Sequence, residues 1–252
     1  MDNREALFEM LLRLADDHLI LGHRVSEWCG HAPMLEEDLS LPNMALDLIG
    51  QARNLYAYAG EVEGKGRDED KLAYLRLESE YKNLLLVERD NGDFGHTILR
   101  QFYFANFMEL FWKEASASSD ETVASIAAKA VKEIAYHVRH SGEWVIRLGD
   151  GTQESHQRMQ VAVEALHRYT NEMFESDTVV DSVVSMEIFP DPAALKNDWE
   201  RRITSVFSVA GLSVPEVVWP QSGGRLGNHG EEMGYLLADL QYMQRAYPGM
   251  TW

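Results

Sequence analysis

Apolar positions recur at helical spacing along most of the chain. Leu7, Met10, Leu11 and Leu14, with His18, repeat in steps of three and four and so share one face of a helix. Leu72, Leu75, Tyr81, Leu84 and Leu85 follow the same rhythm less strictly, and Met159, Val163, Leu166, Tyr169 and Met173 form a third stripe. Residues 43–189 contain no proline and few alternating β-branched positions, so this stretch reads as helix rather than sheet.

Start and stop signals divide the pattern into helices of roughly 20 residues or more. The first spans about 3–29 and ends near Gly30; the second begins close to Asn43, beyond Pro42, and runs to Gly60. A polar connector at 61–67 leads to a third helix, capped by Asp68 or Asp70 and reaching about Glu88. Arg89–Asp93 has turn chemistry, and a fourth helix covers about 94–115. Ser118 and Glu121 stand at capping-box spacing and open a fifth helix, which stops at Gly149. Thr152 or Ser155 starts a sixth, ending near Ser176. Thr178–Val184, with two valine pairs, reads as extended. Asp191 and Pro192 are a cap and a first-turn proline for a further helix. Pro215, Pro220 and Gly223–Gly224 mark an irregular connection before a last helix, from near Asn228, with Glu231 at capping-box spacing, to just before Pro248. The pattern predicts an all-α antiparallel bundle: one domain over 1–252, with its core at about 3–176 and peripheral helices at about 191–247.

Charge narrows the functional classes. The 252 residues carry 23 Lys and Arg against 41 Asp and Glu, a formal charge of −18. That field disfavours phosphate backbones and anionic membrane surfaces, so neither nucleic acid nor membrane is expected as a partner. With 45% hydrophobic residues the chain can bury a large core. Cys29 is the only cysteine, which excludes an internal disulfide and a cysteine-built zinc site. The opening Met1–Glu5 does not resemble a secretory signal, and no apolar run reaches the roughly 20 residues of a membrane span. A cytoplasmic location is the expectation.

A bundle of this size invites a test for a carboxylate-bridged di-iron centre. Such centres take one Glu from each of two helices and Glu-x-x-His from each of the other two. Asp47 is followed 31 residues later by Glu78-x-x-Tyr81, and Glu133-x-x-Tyr136 has His137 beside it. Tyrosine therefore stands at two histidine positions, and 102–106 offer no acid, Glu109 being the nearest. Iron needs several anionic and imidazole ligands together. A set short of two or three ligands should bind iron weakly, so Asp47, Glu78, Tyr81, Glu133, Tyr136 and His137 read as a frame that fits a di-iron centre without the chemistry to hold the metal. On that reading the carboxylates pair with bases such as Arg53, Lys82 or Lys132. The rival reading has Asp47, Glu78, Glu133 and His137 holding iron, with tyrosine or water completing the set, in a chain that is itself an oxygenase or ferroxidase.

Other polar patterns have plain explanations beside sharper ones. Glu27 and His31, His137 and His140, and Glu164-x-x-His167 are helix-face spacings that nine histidines generate readily. The glycine-rich stretch at 223–230 reads as a turn; its sharper reading puts Arg225 on a phosphate of a ligand or partner, for example an acyl-CoA. The aromatic run from Phe102 to Trp112 is too broad for one buried helix face and leaves core and interface both open.

Five stretches then carry a resemblance: EWCGHAP at 27–33, LDLIGQARN at 46–54, NLLLVE at 83–88, KExxYHxR at 132–139 and QYMQRxxPG at 241–249. In this order, over nearly the whole chain, they resemble the PaaC-type structural subunits of phenylacetyl-CoA 1,2-epoxidase complexes. The resemblance implies a ferritin-like fold and a non-catalytic place beside a homologous catalytic subunit that holds the di-iron centre. It also implies a partner reductase carrying NADPH-derived electrons through flavin and an iron–sulfur cluster, other epoxidase subunits as partners, and no cofactor in this chain. Self-association of the isolated chain stays open.

Overall fold

In the computed structural model residues 2–250 are described, and they form helices and turns with no strand among them. Four long helices make the core: α1 (Asn3–Ser26), α2 (Leu35–Glu63), α5 (Phe94–Ala115) and α6 (Glu121–Gly149). Each of α1, α5 and α6 starts where a side chain satisfies free backbone donors. Asp2 accepts from Glu5 N, Asp93 from His96 N, and Asp120 from Thr122 N and Val123 N. Ser118 is therefore not the cap; its hydroxyl accepts from Asp120 N and positions the aspartate.

Helix α2 starts well before Asn43 and contains Pro42, correcting the sequence reading. Proline removes one backbone donor and crowds the preceding turn. Leu41, Met44 and Ala45 around it are buried, and their burial holds the turn helical. Helices α1 and α2 pack as one pair, α5 and α6 as another. His18 of α1 closes the bundle against Phe104 and Trp112 of α5, with ring centroids 5.3 and 5.8 Å away.

Helix α5 is covered on its other side too. Helices α7 (Gln153–Leu166) and α9 (Lys196–Ala210) pack onto it. Tyr103 lies 5.5 Å from Trp199 and 6.1 Å from Phe207, centroid to centroid. The aromatic run is thus core on all sides, as expected for a helix that is apolar around its circumference.

The largest departure is the third helix. Residues 69–92 form short pieces instead: α3 (Glu69–Tyr74), a 3₁₀ turn (Glu78–Glu80) and α4 (Leu85–Glu88). Buried carboxylates from elsewhere capture the backbone donors that a helix would use internally. Lys82 N donates to Asp16, Leu84 N to Asp17 and Leu85 N to Glu172, at 2.7, 2.7 and 2.8 Å. Glu172 also accepts from Gly223 N and Gly224 N, tying the C-terminal loop to the same segment. Gly224 sits so close to the Asn83 carbonyl that a Cβ would overlap it, so the loop needs glycine there.

The sixth predicted helix ends earlier than expected. Helix α7 stops at Leu166 and is followed by 3₁₀ turns at His167–Tyr169 and Asn171–Phe174. Thr178–Ser185 is helix α8 rather than extended chain. Asp177 caps it, and Val179, Val180 and Val183 are buried where it packs on α1. Asp191 caps a 3₁₀ turn at Pro192–Leu195 that runs into α9, and α10 (Glu231–Ala246) follows Gly230 rather than Asn228.

Candidate functional site

All four bundle helices send polar side chains to one level of the core. Helix α6 supplies Glu133 and His137, one turn apart, and α2 supplies Asp47 and Gln51 with the same separation. Helix α5 adds Gln101 and α1 adds His18. His137 is fully buried; its Nε2 lies 3.2 Å from Asp47 Oδ2, and Gln101 Nε2 lies 3.1 Å from its Nδ1. Gln51 Nε2 donates to Glu133 Oε2 at 2.9 Å, and Glu133 also pairs with Lys129 at 3.5 Å.

His18 Nδ1 lies 2.7 Å from the Leu14 carbonyl, and the buried ring stands next to the Gln51 side chain. Burial pushes its pKa down to about 4, against the raising influence of the Leu14 contact; His137 lowers it a little further. The neutral ring therefore adds no charge at neutral pH. Two amides and a cross-helix hydrogen-bond web thus occupy the level where a metal-bearing bundle concentrates carboxylates.

A di-iron centre does not fit this donor set. Gln51 and Gln101 contribute neutral amides rather than anionic oxygens, and the two carboxylates present, Asp47 and Glu133, are already engaged by His137, Gln51 and Lys129. Among the described residues, no three His, Cys, Asp or Glu side chains are placed to hold a metal ion.

Of the six positions read from the sequence, Asp47, Glu133 and His137 come together here. Tyr136 turns outward, 36% exposed, with its hydroxyl 3.5 Å from Ser40 Oγ. Glu78 and Tyr81 are a correction: the broken third helix carries them away from Asp47. Glu78 faces α10, where a Cβ on Gly234 would lie 3.2 Å from its carboxylate. Tyr81 donates to the Ala73 carbonyl at 2.5 Å and accepts from Gln241. Gln51, Gln101 and His18 escaped the sequence reading. The available signal was phase: Gln51 follows Asp47 by four, as His137 follows Glu133 by four.

Arg225 is held inside the protein. Its Nη1 donates to Lys82 O at 2.8 Å and Arg13 O at 3.2 Å, and its Nη2 to Asp17 Oδ2 at 2.8 Å. Asp17 is fully buried, and that burial pushes its pKa up to about 6 against the lowering influence of Arg225. A second buried pair joins Asp16 to Arg76 and the Tyr56 hydroxyl. Glu88 binds His229 at 2.7 Å, Asn83 at 3.0 Å and Gly230 N at 2.6 Å. These pairs clamp α1 to the irregular segment and to the chain leading into α10.

Over residues 1–252 the sequence matches the family of phenylacetic acid catabolic proteins. The chain belongs to that family. It is 45% identical over 241 residues to a subunit of the 1,2-phenylacetyl-CoA epoxidase of Escherichia coli strain K12, covering 96% of this chain and 97% of that protein. The all-helical architecture agrees with the ferritin-like bundle that the sequence resemblance implies. Among the described residues of this family member, no helix is long and apolar enough to cross a membrane.

Proposed function

We propose that the chain is a non-catalytic structural subunit of a phenylacetyl-CoA epoxidase, packing against a homologous iron-bearing subunit in the cytoplasm. The observation carrying this reading is the mid-bundle level itself, where Gln51, Gln101 and His137 join the helices by hydrogen bonds in place of metal ligands. Such a bundle keeps the outline of its catalytic relative without needing a cofactor. The relative from Escherichia coli, named as an epoxidase subunit, supports the same assignment.

An exposed apolar stripe supports a partner. Leu35, Leu39 and Leu46 of α2 lie on one helical face and are 71%, 60% and 67% exposed. Leu46 directly precedes Asp47 on the same helix. In this reading a partner reductase supplies the electrons, through flavin and an iron–sulfur cluster, and iron resides in the catalytic subunit alone. The chain is expected to fold as one unit over its whole length.

Co-expression with the candidate iron-bearing subunit tests the proposal. The expected result is a co-purifying complex with iron in the partner alone, whose aryl-CoA oxygenation falls sharply when this chain is omitted. Two irons bound per copy of the isolated chain, with oxygenase activity in the partner's absence, would establish the rival reading.

A further inference from the structure

Outside the bundle, the turns at 167–174, helix α9 and the irregular strap at 213–222 enclose a cleft of about 600 Å³. That size lies within the range of small-molecule sites, about 300–1,000 Å³. Its floor is aromatic. Trp199 and Phe174 meet edge to face with centroids 5.4 Å apart and are 2% and 6% exposed. Trp199 is fixed in orientation because its Nε1 donates to the Tyr103 carbonyl at 3.0 Å. The His167 ring lies nearly parallel to Trp199, at 23° and 6.4 Å, and Ile203 and Pro215 extend the apolar wall.

The strap is anchored at its two ends. Ser213 N donates to Gln160 Oε1 at 3.0 Å, and Gln221 N to the Arg168 carbonyl at 2.8 Å. The anchors hold Val217 and both prolines, Pro215 and Pro220, over the cleft.

One cation stands in the cleft. Lys196, the half-buried first residue of α9, donates to Asn171 Oδ1 at 3.0 Å and lies 5.9 Å from the Phe174 ring centre. Among the described residues it makes no salt bridge, although the chain carries 41 acids. Glu200 also lines the cleft, but it is exposed and its charge is screened by solvent.

We propose that this cleft binds a small aromatic carboxylate, its ring on the Trp199–Phe174 floor and its carboxylate on the Lys196 ammonium. Flat, edge-to-face aromatic walls select a ring over a flexible chain. A lysine without an acid partner selects an anion over a neutral isostere. The site is independent of the structural role proposed above, since it lies outside the helix pairs and uses none of the mid-bundle residues.

The full-length chain can be titrated by calorimetry with phenylacetate, phenylacetamide and hexanoate. Phenylacetate is expected to saturate with a Kd of about 1 mM or tighter, and the other two to bind at least about tenfold more weakly. Lys196→Met, which keeps the aliphatic stem, should weaken phenylacetate binding about tenfold or more. Thr204→Trp, an exposed lining position whose new ring fills the cleft, should abolish it. Far-ultraviolet circular dichroism identical to that of the parent would show that both variants fold. The proposal is overturned if phenylacetate fails to saturate below about 10 mM, if the amide or hexanoate binds equally well, or if Lys196→Met leaves affinity unchanged.

Discussion

Asp17 is an acid that elementary reasoning would not bury, and its position explains much of the chain around it. With no exposure of its own, it needs Arg225 and Leu84 N to be tolerable inside the protein. Arg225→Met leaves that carboxylate buried with only the Leu84 N hydrogen bond and no counter-charge. The expected cost is about 3–5 kcal/mol of stability, measurable by urea unfolding. His18 sets a second expectation. The folded ring stays neutral down to about pH 4, while the unfolded ring protonates near 6.5. Between those values the unfolded chain binds the extra proton, so stability falls as the pH drops from 6.5 towards 4. Asp17 has the opposite sign: between 3.8 and about 6 the folded chain holds the extra proton. His18→Asn should therefore reduce the slope of unfolding free energy against pH by about 1.4 kcal/mol per unit between pH 6 and 4.5. An unchanged slope would mean that the ring is not kept neutral by burial.

At the scale of elements, helix ends were set by chemistry that a sequence shows well. Asp93 and Asp120 cap α5 and α6, and Thr152 and Ser155 form a reciprocal box at the start of α7. Asp120 also accepts from the Tyr58 hydroxyl at 2.5 Å, joining the start of α6 to α2. Asp120→Ala should cost about 2 kcal/mol, combining the cap with that hydrogen bond, whereas Ser118→Ala should cost less than half as much. Thermal unfolding of the two variants distinguishes the true cap from its neighbour. The third helix fails for a reason of the same kind. Its apolar rhythm is loose, and its backbone donors find Asp16, Asp17 and Glu172 before they find their own carbonyls.

For the whole molecule, the central question is what a ferritin-like bundle becomes when amides stand at its core. Gln51 and Gln101 bring neutral amides to this level, and their hydrogen bonds to Glu133 and His137 brace α2 and α5 against α6. Anionic oxygen at these two positions should turn the level towards metal binding. The double variant Gln51→Glu, Gln101→Glu should gain ferrous iron, by anaerobic titration and metal analysis, and should unfold at lower temperature without it because the added charges repel Asp47 and Glu133. A variant that gains no iron and loses no stability would show that this level is not the remnant of a metal site.

Helical class, most helix starts and the bundle were written in local signals: apolar phase, capping residues and the absence of proline over 43–189. Those signals act within a few residues, so the sequence displays them directly. The choice of residues that meet at the centre was not local. Asp47, Glu133 and His137 were found because they lie on unbroken helices, while Glu78 and Tyr81 were misplaced because contacts from α1 break theirs. The engagement of Arg225 by Asp17, 208 positions away, likewise arises only once the chain has folded. Periodicity specifies a face; only packing decides what that face meets.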